Sequence, residues 1–383
     1  MPFAQLRSRI AVPQIVALTL LLVFAGQCLW FMAHVPLSAM EGSYIEAGLL
    51  HLEHLSNAGS TERSALVPLM AGLAARVCGA ENRIVSLSDY RFVIRLPFLL
   101  AGVLLGGSLW YVARRLYGNI GGYIALGLYA FSPVMIGWSS QVGPGIVAAW
   151  GGFGLIFTGI AVAHTLYAPR EVVLWNWRRI LLMGLSIAVC IGAQFSLWIL
   201  LVPALAFMLW VGHVRPAAAL VIFAAACITG LLLLWPVYGF RPVVLGTALR
   251  NADWLEISAG DPSWRGVSSL FANFFLQNGI GLVLLMAVTL GTFAGWKRAR
   301  FFGTAAPLIV GLVLVVLAAR LQFAGLTFLL VGLPFLMLFM AGVSSDLLEG
   351  RYALAANTVI GGVLVANAML GIYDLMHLTS RSR

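Results

Sequence analysis

The sequence predicts an all-α polytopic integral membrane protein, and three observations carry that reading. Of 383 residues, 61% are hydrophobic and only 9% charged, against about 25% charged in an ordinary soluble domain. The mean hydropathy is +0.98. The apolar residues fall into a succession of runs near the roughly 20 residues that a helix needs to cross a hydrocarbon core of about 30 Å.

Measured against that length, the runs give about eleven candidate spans, at 13–36, 92–115, 119–137, 145–167, 180–195, 196–212, 217–239, 273–295, 303–320, 323–342 and 353–374. Arg7 and Arg9 precede the first run, which exceeds the usual signal-peptide core of about 7–15 residues and reads as an uncleaved anchor. The stretch from Arg178 to Arg215 is too long for one span and is divided near Gln194. "ALVPLMAGLAARVCG" (65–79) is too short to cross and reads as an interfacial or re-entrant helix.

The net charge of +10 does not mark a nucleic-acid surface, because the basic residues stand singly or in pairs at the ends of apolar runs. They set orientation instead. With the N-terminus cytoplasmic, the inner connections hold twelve basic and three acidic residues, and ten of the thirteen carboxylates fall outside. The expected location is a bacterial-type inner membrane with any active face outward. The chain reads as a single transmembrane domain, 1–383, with outer loops at 37–91 and 240–272 and no soluble C-terminal domain.

The four cysteines, Cys28, Cys78, Cys190 and Cys227, lie far apart with no C-x-x-C pair, so neither a disulfide framework nor a thiolate zinc site is indicated. "HLEH" (51–54) places two histidines on one helix face without an identified third ligand, and solvated or headgroup-facing histidines are expected there. No cofactor is implied, and a divalent metal stays open.

Chemistry is expected in the outer loops, because ionisable groups are costly within the bilayer. In the first loop, Glu41 and Tyr44 share a helix face while Glu46 points elsewhere. Ser38-Ala39-Met40-Glu41 also fits an S-x-x-E capping box, so Glu41 carries a structural reading beside a chemical one. In the second loop, tryptophans and Arg241, Arg250 and Arg265 read as interfacial anchors; a guanidinium fork also suits a lipid-linked phosphate. Arg95 and Arg320 sit at span ends where an arginine snorkels to headgroups. Interhelical hydrogen bonding accounts for Gln141 and Gln194.

Several stretches resemble, in order, the GT-C membrane glycosyltransferases, especially the protein-mannosyltransferase-like and aminoarabinose-transferase-like enzymes of glycosyltransferase family 39. They are "MEGSYIEAG" (40–48), "RSALVPLMAGLAARVCG" (63–79), "RFVIRLPFLLAGVLLGGSLWYVARRLYG" (91–118), "ALGLYAFSPVMIGWSSQVGPG" (125–145) and "FLLVGLPFLMLFMAG" (328–342).

The resemblance implies a GT-C-like core that moves a sugar from a polyprenyl-phosphate donor to an acceptor hydroxyl. Such transfer needs a carboxylate to take the acceptor proton and cations to stabilise the leaving phosphate. It implies Glu41 as the candidate catalytic carboxylate. Tyr44, Glu46, Arg241, Arg250, Arg265 and Arg320 become candidates for donor or substrate binding. The partners implied are the lipid-linked sugar and membrane lipids.

The pattern departs at two places. The family's first-loop aspartate falls on Met40 and its second acidic position on Gly145. A catalytically inactive GT-C-like protein, acting as a lipid-binding or structural subunit beside another membrane protein, is therefore the alternative. A transporter is disfavoured by the scarcity of ionisable residues within the spans.

Overall fold

The computed structural model describes residues 12–53, 64–79, 90–166, 177–250, 280–295, 304–320, 325–350 and 353–381, and no strand occurs among them. Among the described residues, six helices are long and apolar enough to cross a membrane, and shorter apolar helices accompany them.

The first span is α1 (Val12–His34), followed by α2 (Ala39–Glu53) and α3 (Leu66–Val77). Helices α2 and α3 meet where Gly48 faces Gly72, and a Cβ on Gly48 would collide with the Pro68 carbonyl. Only glycine permits so close a backbone approach.

Next comes α4 (Arg91–Ala130), which is two helical arms joined at Gly118. Gly118 has φ 80°, a conformation open to glycine at no steric cost, and it reverses the chain. The arms pair as a hairpin: Tyr129 Oη donates to the Gly102 carbonyl at 2.6 Å.

The expected span 119–137 is interrupted. Its helix ends at Ala130, and α5 (Pro133–Ser139) begins anew with Ser132 accepting from the Met135 amide. Pro133 has no N–H to continue the ladder. Gln27 Nε2 donates to the Ala130 carbonyl at 3.2 Å, which supplies a side-chain donor where the helix breaks in an apolar setting.

After α6 (Pro144–Thr165) and α7 (Trp177–Ala193), Gln194 adopts an extended backbone and a 3-10 turn, Phe195–Leu200, leads into α8 (Leu201–Val211). The break expected near Gln194 is thus present. The Gln194 side chain bonds locally, to Ser196 Oγ at 2.8 Å, rather than across helices. Then follow α9 (Pro216–Leu234), a 3-10 turn at Trp235–Tyr238 and the amphipathic α10 (Pro242–Arg250).

The C-terminal part holds α11 (Ile280–Gly295), α12 (Ala306–Arg320), α13 (Gly325–Leu348) and α14 (Ala353–Arg381). Helix α13 is the axis of the bundle. It is packed against α4, α6 and α12, with Phe335 ringed by Phe153 and Phe157. It continues through Leu348, six residues past the expected end at 342, because Ser344 and Ser345 are buried and Ser345 Oγ donates to the Tyr117 carbonyl. Where its burial is described, helix α14 is mostly exposed or half-buried, with Ile360 and Gly371 as its buried positions.

Candidate functional site around Glu41

Helix α2 starts at the expected capping box. Ser38 Oγ accepts from the Glu41 amide at 3.2 Å, and Glu41 Oε2 accepts from the Ser38 amide at 2.8 Å. Inward-facing residues then recur as Glu41, Tyr44, Ile45, Gly48 and His51, all buried, which is the 3–4 spacing of one helix face. Glu46 lies on the other face and is exposed.

The carboxylate of Glu41 does more than cap. Arg95, four residues into α4, lays its guanidinium fork along it, with Nε 2.8 Å from Oε1 and Nη2 2.8 Å from Oε2. The Val142 amide, in the turn between α5 and α6, donates to Oε1 at 2.9 Å. Four donors therefore converge on one carboxylate, which fills the lone-pair sites it has.

Arg95 is equally occupied. Its Nη1 donates to the Val35 carbonyl at 2.9 Å and its Nη2 to the Pro36 carbonyl at 3.0 Å. One turn earlier, Arg91 donates to the Ala33 carbonyl at 2.5 Å. The last carbonyls of α1 and its linker are thus closed by two arginines spaced i, i+4 on α4.

Both members of the ion pair are sealed, Glu41 at 2% and Arg95 at 0% exposure. The snorkelling expected of Arg95 is therefore incorrect. A buried guanidinium with a carboxylate in reach pairs with it, because leaving either charge alone in a dry site costs several kcal/mol, roughly 3–5 by breaking one partner. Burial pushes the Glu41 carboxyl up, but the hydrogen bond and charge of Arg95, with the Ser38 and Val142 amides, outweigh it and hold the group below its ordinary value.

The two positions where the family resemblance expects aspartates look as follows. Met40 is 62% exposed on the outer side of the α2 turn. Gly145, in the first turn of α6, is buried, and a Cβ there would stand 2.6 Å from Leu330 and 2.7 Å from the Trp138 ring. A side chain at 145 would require both neighbours to move.

Of the candidate binding residues, Tyr44 is buried one turn after Glu41. Arg241 and Arg250 are exposed at the two ends of α10, far from the Glu41 cluster in sequence. Arg265, with most of the loop 240–272, lies outside the described residues, as does the side chain of Arg320, which ends α12.

His51 departs from expectation. It is buried, and its Nε2 lies 2.7 Å from the Val237 carbonyl, tying α2 to the turn after α9. His54 lies outside the described residues. No group of three or more His, Cys, Asp or Glu is placed to hold a metal among the described residues. The Val142 amide and the His51 tie carry no sequence signature, since one is a backbone group and the other a contact across 186 positions. Arg95 did carry one: an arginine inside an apolar run needs a counter-charge.

Residues 84–240 match the family of dolichyl-phosphate-mannose-protein mannosyltransferases. Among solved structures, ArnT from Cupriavidus metallidurans bound to undecaprenyl phosphate superposes with a TM-score of 0.62 at 12% identity, over 95% of this chain and 75% of that one. The oligosaccharyltransferase AglB from Archaeoglobus fulgidus, in complex with an inhibitory peptide and a dolichol-phosphate, gives 0.59 at 12% identity over 96% and 56%. No curated protein matches the chain. The fold is that of the GT-C membrane glycosyltransferases. The chain spans just over half the length of the archaeal enzyme.

Proposed function

We propose that this protein is a GT-C-type glycosyltransferase that takes a sugar from a polyprenyl-phosphate carrier at the outer face of a bacterial-type inner membrane, with its N-terminus cytoplasmic. The observation that supports it best is the shared fold with two solved transferases whose structures hold a polyprenyl phosphate, undecaprenyl in one and dolichol in the other. The orientation rests on the positive-inside distribution of the basic residues.

Within this reading Glu41 is a positioning residue. A general base must offer a lone pair to the acceptor hydroxyl within hydrogen-bond reach, and the four donors on Glu41 leave none. Its work is to hold the first loop, the α4 hairpin and the 140–143 turn in register, so that the lipid-linked donor meets a fixed wall. The phosphate would be met by Arg265 of the second loop and by Arg320, each offering a fork suited to phosphate oxygens.

A second reading, an inactive lipid-binding or structural subunit, has specific support in the same two places. Glu41 is saturated, and the space beside Gly145 is filled by Trp138 and Leu330.

Transfer from radiolabelled undecaprenyl-phosphate sugars, measured in membranes and normalised to folded protein, tests the proposal. Glu41→Gln is expected to keep activity per folded molecule within about threefold, whereas loss of a general base costs ~10²–10⁴-fold. Wild-type protein that retains undecaprenyl phosphate through purification but transfers none of these sugars overturns the transferase proposal in favour of the subunit.

A further inference from the structure

The turn between α9 and α10 holds an outlier. Gly239 and Phe240 both have positive φ, 62° and 59°, and a bulky non-glycine residue is rarely held there. Yet Phe240 is not buried: it is 66% exposed, with its ring 6.4 Å from that of Trp235. Val243, one turn on, is 78% exposed. Two large apolar side chains thus project outward from a strained elbow at the end of the candidate span Pro216–Tyr238.

The elbow stands on a rigid base. Val237 and Tyr238 pack with Ala65, Ala188, Phe195, Leu234 and Ala248 in a small core of their own, and His51 binds the Val237 carbonyl. Backbone bonds from Gly239 to Pro236 and from Phe240 to Trp235 close the turn. Strain persists where surrounding structure over-determines a conformation. Here what it achieves is to aim Phe240 away from the protein.

Two arginines accompany the apolar tip, Arg241 between Phe240 and Val243 and Arg250 at the end of α10. Arg241 and Arg250 are exposed, and the stretch "WPVYGFRPVVLGTALR" contains no carboxylate. They are separated by nine residues of α10, about 13 Å along a helix, too far for one phosphate to bridge. Exposed apolar side chains with cations beside them, at the end of a span, match the chemistry of a surface of anionic lipid.

We infer that residues 235–250 form a membrane-surface wedge, inserting Phe240 and Val243 among acyl chains while Arg241 and Arg250 each engage headgroup phosphates of bulk anionic phospholipid. It does not depend on whether the protein transfers sugar.

The full chain in neutral detergent, titrated with phosphatidylglycerol or phosphatidylcholine while lipid retention and thermal midpoint are followed, tests the wedge. Wild type is expected to take up phosphatidylglycerol preferentially, and the preference to shrink in high salt. Arg241→Gln with Arg250→Gln should raise the half-saturating phosphatidylglycerol concentration about fivefold per arginine and leave phosphatidylcholine uptake unchanged. Phe240→Gly should weaken uptake of both lipids while leaving the detergent midpoint at or above wild type, because glycine suits a positive φ.

Unchanged phosphatidylglycerol preference in the double arginine variant overturns the wedge. So does a lower detergent midpoint for Phe240→Gly, or a single saturable undecaprenyl-phosphate site that needs both arginines.

Discussion

Glu41 shows how one residue can satisfy a motif and still change its meaning. The serine at position 38 and the glutamate three residues on predict a cap, and the cap is there. What the sequence does not display is that Arg95, 54 positions away, and the Val142 amide, 101 positions away, complete the same carboxylate. Because Glu41 is held below its ordinary pKa, its stabilisation is fully present above the unfolded value of about 4.3 and is lost as pH falls through the folded-state value. The thermal midpoint of wild type relative to Glu41→Gln is therefore expected to be constant from pH 7 to 5 and to converge below about pH 4. A gap that persists undiminished at low pH contradicts the depressed carboxyl.

At the scale of elements, apolar run length located the spans, because a helix buried in lipid or protein must be apolar over its crossing. It did not show the interruption at Phe131–Ser132, where hydropathy is continuous and only Ser132-Pro133 marks the break. Nor did it show that α13 runs on through two serines, since their burial depends on Tyr117 from another helix. The α2–α3 crossing is similarly hidden: glycines at 48 and 72 matter only because the two backbones touch. Gly48→Ala is expected to destabilise the folded protein by about 1–3 kcal/mol through overpacking, read as a lower midpoint in detergent. Gly42→Ala, with open space around its Cβ, serves as the control and should leave the midpoint unchanged or raised.

For the whole molecule, the GT-C resemblance was legible in the order of five weak motifs, and the fold bears it out. The chemistry was less legible, because the positions that carry it are set by contacts between segments. Residues 33–36 at the end of α1, the start of α2, the first turns of α4 and the 140–143 turn converge on Glu41 and Arg95, with Arg91 beside them. That pair is the clamp of the first-loop end of the bundle. A double-mutant cycle on purified protein tests it most directly, comparing the stability of Glu41→Gln, Arg95→Met and the two combined. Each single variant is expected to cost about 3–5 kcal/mol by stranding a buried partner, and the pair to cost clearly less than the sum, with a coupling of at least about 1 kcal/mol. Additive losses, or a Glu41→Gln protein of wild-type stability whose sugar transfer has fallen a hundredfold or more, would contradict the clamp and return Glu41 to the role of base.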